Sequence, residues 1–269
     1  MSHLNTEDRY GVSVITCTNR PEFLENVLSN YVQQDCPAKE LIIVAHGIDH
    51  SVDLYKNSVQ GYDAVTLIAL PMELTLGACL NHAVDLAKYN IIAKFDDDDY
   101  YAPAYLSYSI RAFDCTAADV IGKCATYVYF RTSRILAIRH AEVENSYIGH
   151  VEGPTLVIRK RVFEAMRFAN VSLGEDRLFC DACYKKGIRV YCTDRYHHVY
   201  VRHGVSHRHA WSIADADLLQ HCKVIGEMDE FRSYAGLVPP HSRLTPLAEI
   251  ARQNPHLAWP HAPTLQPFG

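Results

Sequence analysis

The sequence predicts an α/β fold, with a mostly parallel central sheet flanked by helices and an irregular C-terminal tail. Three observations carry that prediction. Short β-branched apolar runs alternate with stretches of helical apolar spacing over about the first 200 residues, the pattern of βαβ units. At 269 residues and 48% apolar content, the chain can build one large domain with a modest appendage. Prolines recur from Pro239 to Pro267 and break any long element there.

The elements follow in order. Gly11–Cys17 is apolar and β-branched, a buried strand. Pro21 suits the first turn of a helix, and Phe23, Leu24, Val27, Leu28 and Tyr31 recur at helical spacing behind it. Glu40–Ala45 and Val65–Leu70 are the next strands, the latter closed by Pro71. Leu76–Lys88 is helical, with Leu76, Leu80, Ala83, Val84 and Ala87 on one stripe. Asn90–Phe95 is a strand that runs straight into Asp96–Asp99. Pro103–Phe113 is a helix, Lys123–Arg131 and Ser133–Arg139 are strand-like, Thr155–Ile158 is a short strand and Lys160–Met166 a short helix. Asp176–Lys186 is helical, and Arg189–Cys192 and Tyr196–Val201 are late strands. In such sheets ligands bind beyond the carboxyl ends of the strands, where Thr16–Arg20 and Asp96–Asp99 both fall.

Charge and cysteine usage exclude several classes. With 26 basic against 31 acidic side chains, the net charge of −5 argues against a protein that neutralises phosphate backbones, so no nucleic-acid partner is expected. No run approaches the roughly 20 apolar residues of a membrane span, and Met1–Tyr10 is polar, without an apolar export core. Nine scattered cysteines, an odd number, read as reduced thiols. A cytoplasmic globular protein is expected, with contact at the inner face of a membrane left open.

Asp96–Asp99 is the most informative feature. Four adjacent carboxylates repel one another, and at the end of an apolar strand a hard divalent cation is the natural compensation. On an extended backbone Asp96 and Asp98 would share one face, Asp97 and Asp99 the other. The alternatives are a solvated acidic loop, or Asp99 capping a following helix. Position directly after a buried strand favours the cation reading.

SVITCTNRPEFLENVL (Ser13–Leu28), ELIIV (Glu40–Val44), LTLGACLNHAVDLAKYNIIAKFDDDDYYAP (Leu74–Pro103), TLVIRK (Thr155–Lys160) and GEDRLFC (Gly174–Cys180), in this order and spacing, resemble the GT-A-fold inverting glycosyltransferases of family 2. The resemblance implies a GT-A, Rossmann-like domain over residues 10–225, preceded by a tail (1–9) and followed by a Pro-rich extension (226–269). It implies that Thr16, Asn19 and Arg20 hold the donor nucleotide and that Asp96 and Asp98 are the acids of a DxD signature. Asp98 would then bind Mn²⁺ or Mg²⁺, with Asp99 as an additional ligand. Asp97 belongs with the donor side, as do Gly77 and Asn81, which match the helix beneath the donor site. Asp176 matches the catalytic base, with Glu175 beside it on the acceptor side; by its local sequence Asp176 is equally a helix-start acid. The resemblance has one departure. The acids that family members carry after the second strand are replaced by Ala45-His46-Gly47-Ile48-Asp49, so that Asp49 reaches round, His46 substitutes, or the base is read differently.

The segment Arg202–Trp211 resembles the family's C-terminal loop, where His203, His207 and His209 are candidates to complete the metal site, Arg202 and Arg208 to bind the diphosphate, and Trp211 to contact a sugar. Surface histidines and a core tryptophan are the plain alternative. Cys180-x-x-Cys183 with His203-x-x-x-His207 imitates a zinc set, but its spacing is too long and buried thiols are simpler. Glu152 stands where relatives place the acceptor wall, or is a solvated loop acid. The expected function is metal-dependent inverting transfer of a sugar from a nucleotide sugar, UDP-linked, to a hydroxyl acceptor, in synthesis of a bacterial surface glycan or polysaccharide. The rivals are an inactive relative that binds carbohydrate or a partner, and a sugar-phosphate nucleotidyltransferase, whose glycine-rich loop Thr16–Arg20 lacks. A homodimer is left open.

Overall fold

The computed structural model describes residues 10–47, 52–204 and 213–237, with no account of the side chains of residues 52–54. Asp49, His207, Arg208, His209, Trp211 and the proline-rich stretch from 238 onward therefore lie outside the described residues. The first half of the chain follows its periodicity: β1 (Val12–Thr18), a 3-10 turn at Pro21–Phe23, α1 (Leu24–Val32), β2 (Lys39–His46), α2 (Val52–Val59), β3 (Val65–Leu70), α3 (Leu76–Leu86) and β4 (Ile91–Lys94). The sequence reading had no helix at α2. The second half gives β5 (Tyr100–Tyr101), α4 (Tyr105–Cys115), β6 (Val120–Lys123), β7 (Thr126–Phe130), β8 (Ile135–Arg139), β9 (Ser146–Tyr147), β10 (Val157–Arg159) and α5 (Val162–Ala165). It ends with α6 (Glu175–Lys185), β11 (Val190–Thr193), β12 (His198–Arg202), α7 (Asp215–Gln220), β13 (Cys222–Glu227) and α8 (Arg232–Gly236).

Eight strands form the main sheet in the order β3-β2-β1-β4-β10-β6-β11-β9. Strands β1 to β4 run parallel, β10 runs antiparallel between β4 and β6, and β11 is parallel to β6. The strand period of two splits the core into two layers. Val12, Val14, Leu41, Ile43 and Ala93 face Leu24, Val27, Leu28, Leu106 and Phe113 of α1 and α4. Ile15, Ile42, Val44 and Ile92 face Leu80, Ala83 and Val84 of α3 and Phe179, Cys180 and Cys183 of α6. Each such Val, Leu, Ile or Phe side chain, when fully buried, contributes about 1.5–3 kcal/mol. Cys180 and Cys183 are buried free thiols in this layer, so the zinc alternative loses its cysteine half to core packing.

A second sheet, β13-β8-β7-β12-β5, was not foreseen. The run expected at Lys123–Arg131 begins on the last residue of β6, steps between sheets at Cys124 and Ala125, and continues as β7 in the second sheet. The chain makes the same step at residues 95–99, from β4 to β5, and at 194–197, from β11 to β12. The four aspartates are therefore a crossing between sheets. Strand β13 pairs with β8 across the domain boundary expected at 225, and Phe231 and Ala235 pack into the core of the second sheet.

Candidate active site

A cleft of about 760 Å³ opens at the carboxyl ends of β1, β2 and β4. Its lining includes Cys17, Thr18, Asn19 and Arg20 after β1, His46 at the end of β2, and Lys94, Asp96, Asp97 and Asp98 at the end of β4. Facing these are Glu152 and Pro154, then Gly174, Glu175 and Asp176 at the start of α6. The cleft thus gathers Asn19, Arg20, Asp96–Asp98, Glu152, Glu175 and Asp176 from the residues the sequence singled out.

The acidic crossing does not alternate as an extended strand would. Arg20 donates from Nε to Asp97 Oδ2 (3.0 Å), pairs through Nη2 with Asp97 Oδ1, and reaches Asp98 Oδ2 at 3.0 Å. Asp97 and Asp98 therefore turn toward the same guanidinium, which faces two carboxylates with one charge. Thr18 Oγ donates to Asp97 as well. Burial pushes the Asp97 carboxyl up, the Arg20 hydrogen bond pulls it down and the neighbouring Asp98 charge pushes it up again. Asp96 pairs instead with Lys94, a buried lysine on β4 that also stands 4.0 Å from Glu175. Burial opposes the Lys94 charge, but Asp96 and Glu175 outweigh it and raise its pKa. Burial likewise raises that of Glu175.

Asp99 departs from its expected role as a metal ligand. It is fully buried, takes the Val201 N–H (3.0 Å) and lies 3.0 Å from His198 Nε2. Burial pushes Asp99 up and His198 down to about 3, so the contact is a hydrogen bond sharing a proton, and it pins the crossing to β12. Asparagines on α1, which carried no sequence signal, brace the same backbone. Asn26 donates to the carbonyls of Asp97 and Asp99 (2.7 and 2.9 Å), and Asn30 donates to that of Asp99 (2.8 Å).

Five further residues take positions other than those expected. Thr16 is fully buried on the α1 side of β1; Thr18, two residues on at the strand's end, reaches the acids instead. Gly77 and Asn81 do not line the cleft. They grip the 168–171 loop, Asn81 through reciprocal bonds with Phe168 (3.0 and 3.1 Å) and Gly77 through its N–H to Val171 (3.0 Å), where a Cβ would overlap the Ala169 carbonyl. Arg202 is buried, donating to Asp215 (2.7 Å) and the Ile213 carbonyl (2.7 Å). His203 Nε2 donates to the Asp98 carbonyl (2.9 Å), and its ring meets Phe23 edge-on at 4.9 Å. That nitrogen is engaged by the backbone in this geometry, so Nδ1 is the atom His203 would have to offer a metal.

On the opposite wall, α6 starts after Gly174 in the left-handed region (φ 77°), with Glu175 and Asp176 in its first turn. Acids there are favoured by the helix dipole. Gly153 packs so close to Asp176 that a Cβ would overlap its carboxylate. Glu152 lines the cleft and pairs with Arg139 (3.0 Å) from the second sheet. Tyr101 ties the two walls together: its hydroxyl takes the Asp96 N–H (2.8 Å) and donates to the Pro154 carbonyl (2.8 Å).

A mainly parallel sheet whose first and fourth strands end in a cleft at an acidic turn, flanked by helices, is the GT-A fold of the structures this chain resembles. A profile described as Glycosyl transferase family 2 matches residues 13–172, and the chain belongs to that family. Among solved structures it resembles TarS of S. aureus, residues 1–349, in complex with UDP-GlcNAc. The TM-score is 0.60 at 16% identity, over 78% of this chain and 64% of that one. It also resembles the mannosyltransferase PcManGT of Pyrobaculum calidifontis in complex with GDP-Man and Mn²⁺, with a TM-score of 0.54 at 17% identity, over 71% of this chain and 56% of that one. The chain thus spans less than two thirds of these relatives' length. No curated protein matches it. No helix among the described residues is long and apolar enough to cross a membrane.

Proposed function

We propose that the protein is an inverting, metal-dependent glycosyltransferase that moves a sugar from a nucleotide sugar, UDP-linked, to a hydroxyl of a glycan acceptor, in the cytoplasm and in the service of a surface polysaccharide. One observation carries the reading: the acids Asp96 and Asp98 and the acid Asp176 line a single cleft from opposite walls. UDP-GlcNAc on TarS and GDP-Man with Mn²⁺ on PcManGT accord with a nucleotide-sugar donor.

The donor set suits Mg²⁺ or Mn²⁺, since Asp96 and Asp98 offer hard carboxylate oxygens and a single guanidinium spans Asp97 and Asp98. Asp98, assisted by Asp96, would hold the ion, which when bound supplies Lewis-acid stabilisation of the departing diphosphate. Arg20 and Thr18 fix the acids that face the donor. Asp176 accepts the proton of the acceptor hydroxyl as its oxygen bonds the anomeric carbon and the carbon–phosphate-oxygen bond breaks on the opposite side. Gly153 leaves room for that carboxylate, and Lys94 links the two walls through Asp96 and Glu175.

The test begins with thermal unfolding against UDP, GDP, CDP and dTDP, each with Mn²⁺ or with EDTA. Ligand at 100 times its dissociation constant adds about 2.7 kcal/mol, so UDP with Mn²⁺ should raise the melting temperature and EDTA should cancel the shift. Product stereochemistry by NMR then reads inversion. Asp176→Asn should cut kcat by roughly 10²–10⁴-fold with nucleotide binding intact. Gly153→Ala should displace the same carboxylate and cost about 10²-fold in kcat at little change in melting temperature. No shift with any of the four nucleotides, or full activity in Asp176→Asn, would overturn the reading.

A further inference from the structure

Cys17 near the end of β1, His46 at the end of β2 and Cys79 in the first turn of α3 converge from three elements, and none has a part in the chemistry above. Each offers one ligand atom, two thiol sulfurs and a ring nitrogen, all lying within 4.8 Å of one another. The Nε2 of His46 is buried with no hydrogen-bond partner among the described residues. A buried imidazole nitrogen left unpaired costs about 1–3 kcal/mol, which is reason to ask what it is for.

We propose that Cys17, His46 and Cys79 form a binding site for a thiophilic divalent cation, Zn²⁺, separate from the acidic crossing. Two sulfurs and an imidazole are soft and borderline donors, the set that selects zinc over magnesium or manganese. In tetrahedral zinc, ligand atoms stand about 3.4–3.8 Å apart, so an adjustment of about 1 Å closes the observed triangle. Cys79 is fully buried at the back, whereas Cys17 and His46 are half-buried and line the cleft. The fourth position thus faces the cleft, open to water or to a bound ligand. Binding displaces the two thiol protons into solvent as the thiolates coordinate, so affinity rises with pH. The site exists because β2 ends on a histidine between a strand thiol and a helix thiol; each residue alone would be ordinary.

The test is a Co²⁺ titration of the full-length, metal-free protein under a non-thiol reductant, without nucleotide. A thiolate-to-cobalt charge-transfer band with tetrahedral d–d bands, saturating at a single equivalent and bleached by Zn²⁺, is expected. Asp98→Asn should keep the band, and Cys79→Ser should abolish it while circular dichroism stays unchanged. If Cys79→Ser does not fold, Cys17→Ser and His46→Gln serve in its place. No thiolate band, or a band that survives loss of Cys79 or Cys17, overturns the site. This readout is independent of sugar transfer, so either proposal can fail without the other.

Discussion

Two crossings between the sheets carry buried charge and use it in opposite ways. At 194–197 the charge is sealed. Lys123 Nζ donates to the Asp194 carbonyl (2.6 Å) and to Thr193 (3.1 Å), its charge faces the Asp194 carboxylate at 3.9 Å, and Tyr108 donates to that same carboxylate. Lys123 and Asp194 are both almost fully buried. At 95–99 the charge opens on the cleft, with Arg20 shared by two acids and Lys94 drawn toward two others. The first crossing closes its electrostatics within the protein, as a structural ion pair does. The second leaves acids facing a cavity, an arrangement suited to a cation and an anionic ligand. The difference shows that a buried acid becomes a functional candidate when it also lines an open cavity, as Asp97 and Asp98 do and Asp194 does not.

The comparison can be broken most severely at the sealed crossing. Lys123→Met should cost about 3–5 kcal/mol in denaturant unfolding, because it leaves the Asp194 carboxylate buried without its cation. Asp98→Asn, at the open crossing, should instead lower kcat by roughly 10²–10³-fold. Its melting temperature should hold or rise as like-charge repulsion is relieved. Equal stability losses for the two would erase the distinction.

A finer contrast lies in pH. His197, in the sealed crossing, has its pKa lowered from 6.5 to about 4, by burial first and by the Lys123 charge second. Between those values the unfolded chain binds the proton and the folded chain does not, so stability falls as pH drops through this window. The loss should total about 3 kcal/mol. Urea melts at stepped pH should show a flatter slope for His197→Gln than for the parent. The smallest effect is expected at the brace of the open crossing. Asn30→Ala removes the donor to the Asp99 carbonyl and the acceptor of the Tyr101 N–H (3.1 Å), and should cost about 1–3 kcal/mol in the same melts.

Much was legible from sequence because the first hundred residues are built of local units. A buried strand, a Pro-initiated turn and an amphipathic helix repeat there, and each declares itself through side-chain period. The family's segments lie mainly on that stretch, so Asn19, Arg20, Asp96 and Asp98 could be placed on one cleft edge without coordinates, and Asp176 with them across the cleft. Period could not show the step at Cys124 and Ala125, since residues 120–130 are buried throughout and an inter-sheet step leaves no mark on a run of buried residues. Nor could spacing foretell that α1 presents Asn26 and Asn30 to the aspartate backbone. Amide side chains on a helix read as solvent-facing until the partner carbonyls are known.

The sequence by itself determined the parallel half of the sheet, the acid-rich turn at its carboxyl edge and membership of a glycosyl transferase family, because these rest on short-range pattern and ordered motifs. Tertiary structure alone decided which acid does what. Asp97 and Asp98 turn to Arg20, Asp96 turns to Lys94 and Asp99 goes into the core against His198. Four identical side chains in a row carry no local signal of their fates. Apart from Lys94, two residues from Asp96, the partners that set their environments lie 69 to 105 positions away in the chain, and only folding brings those within hydrogen-bond reach.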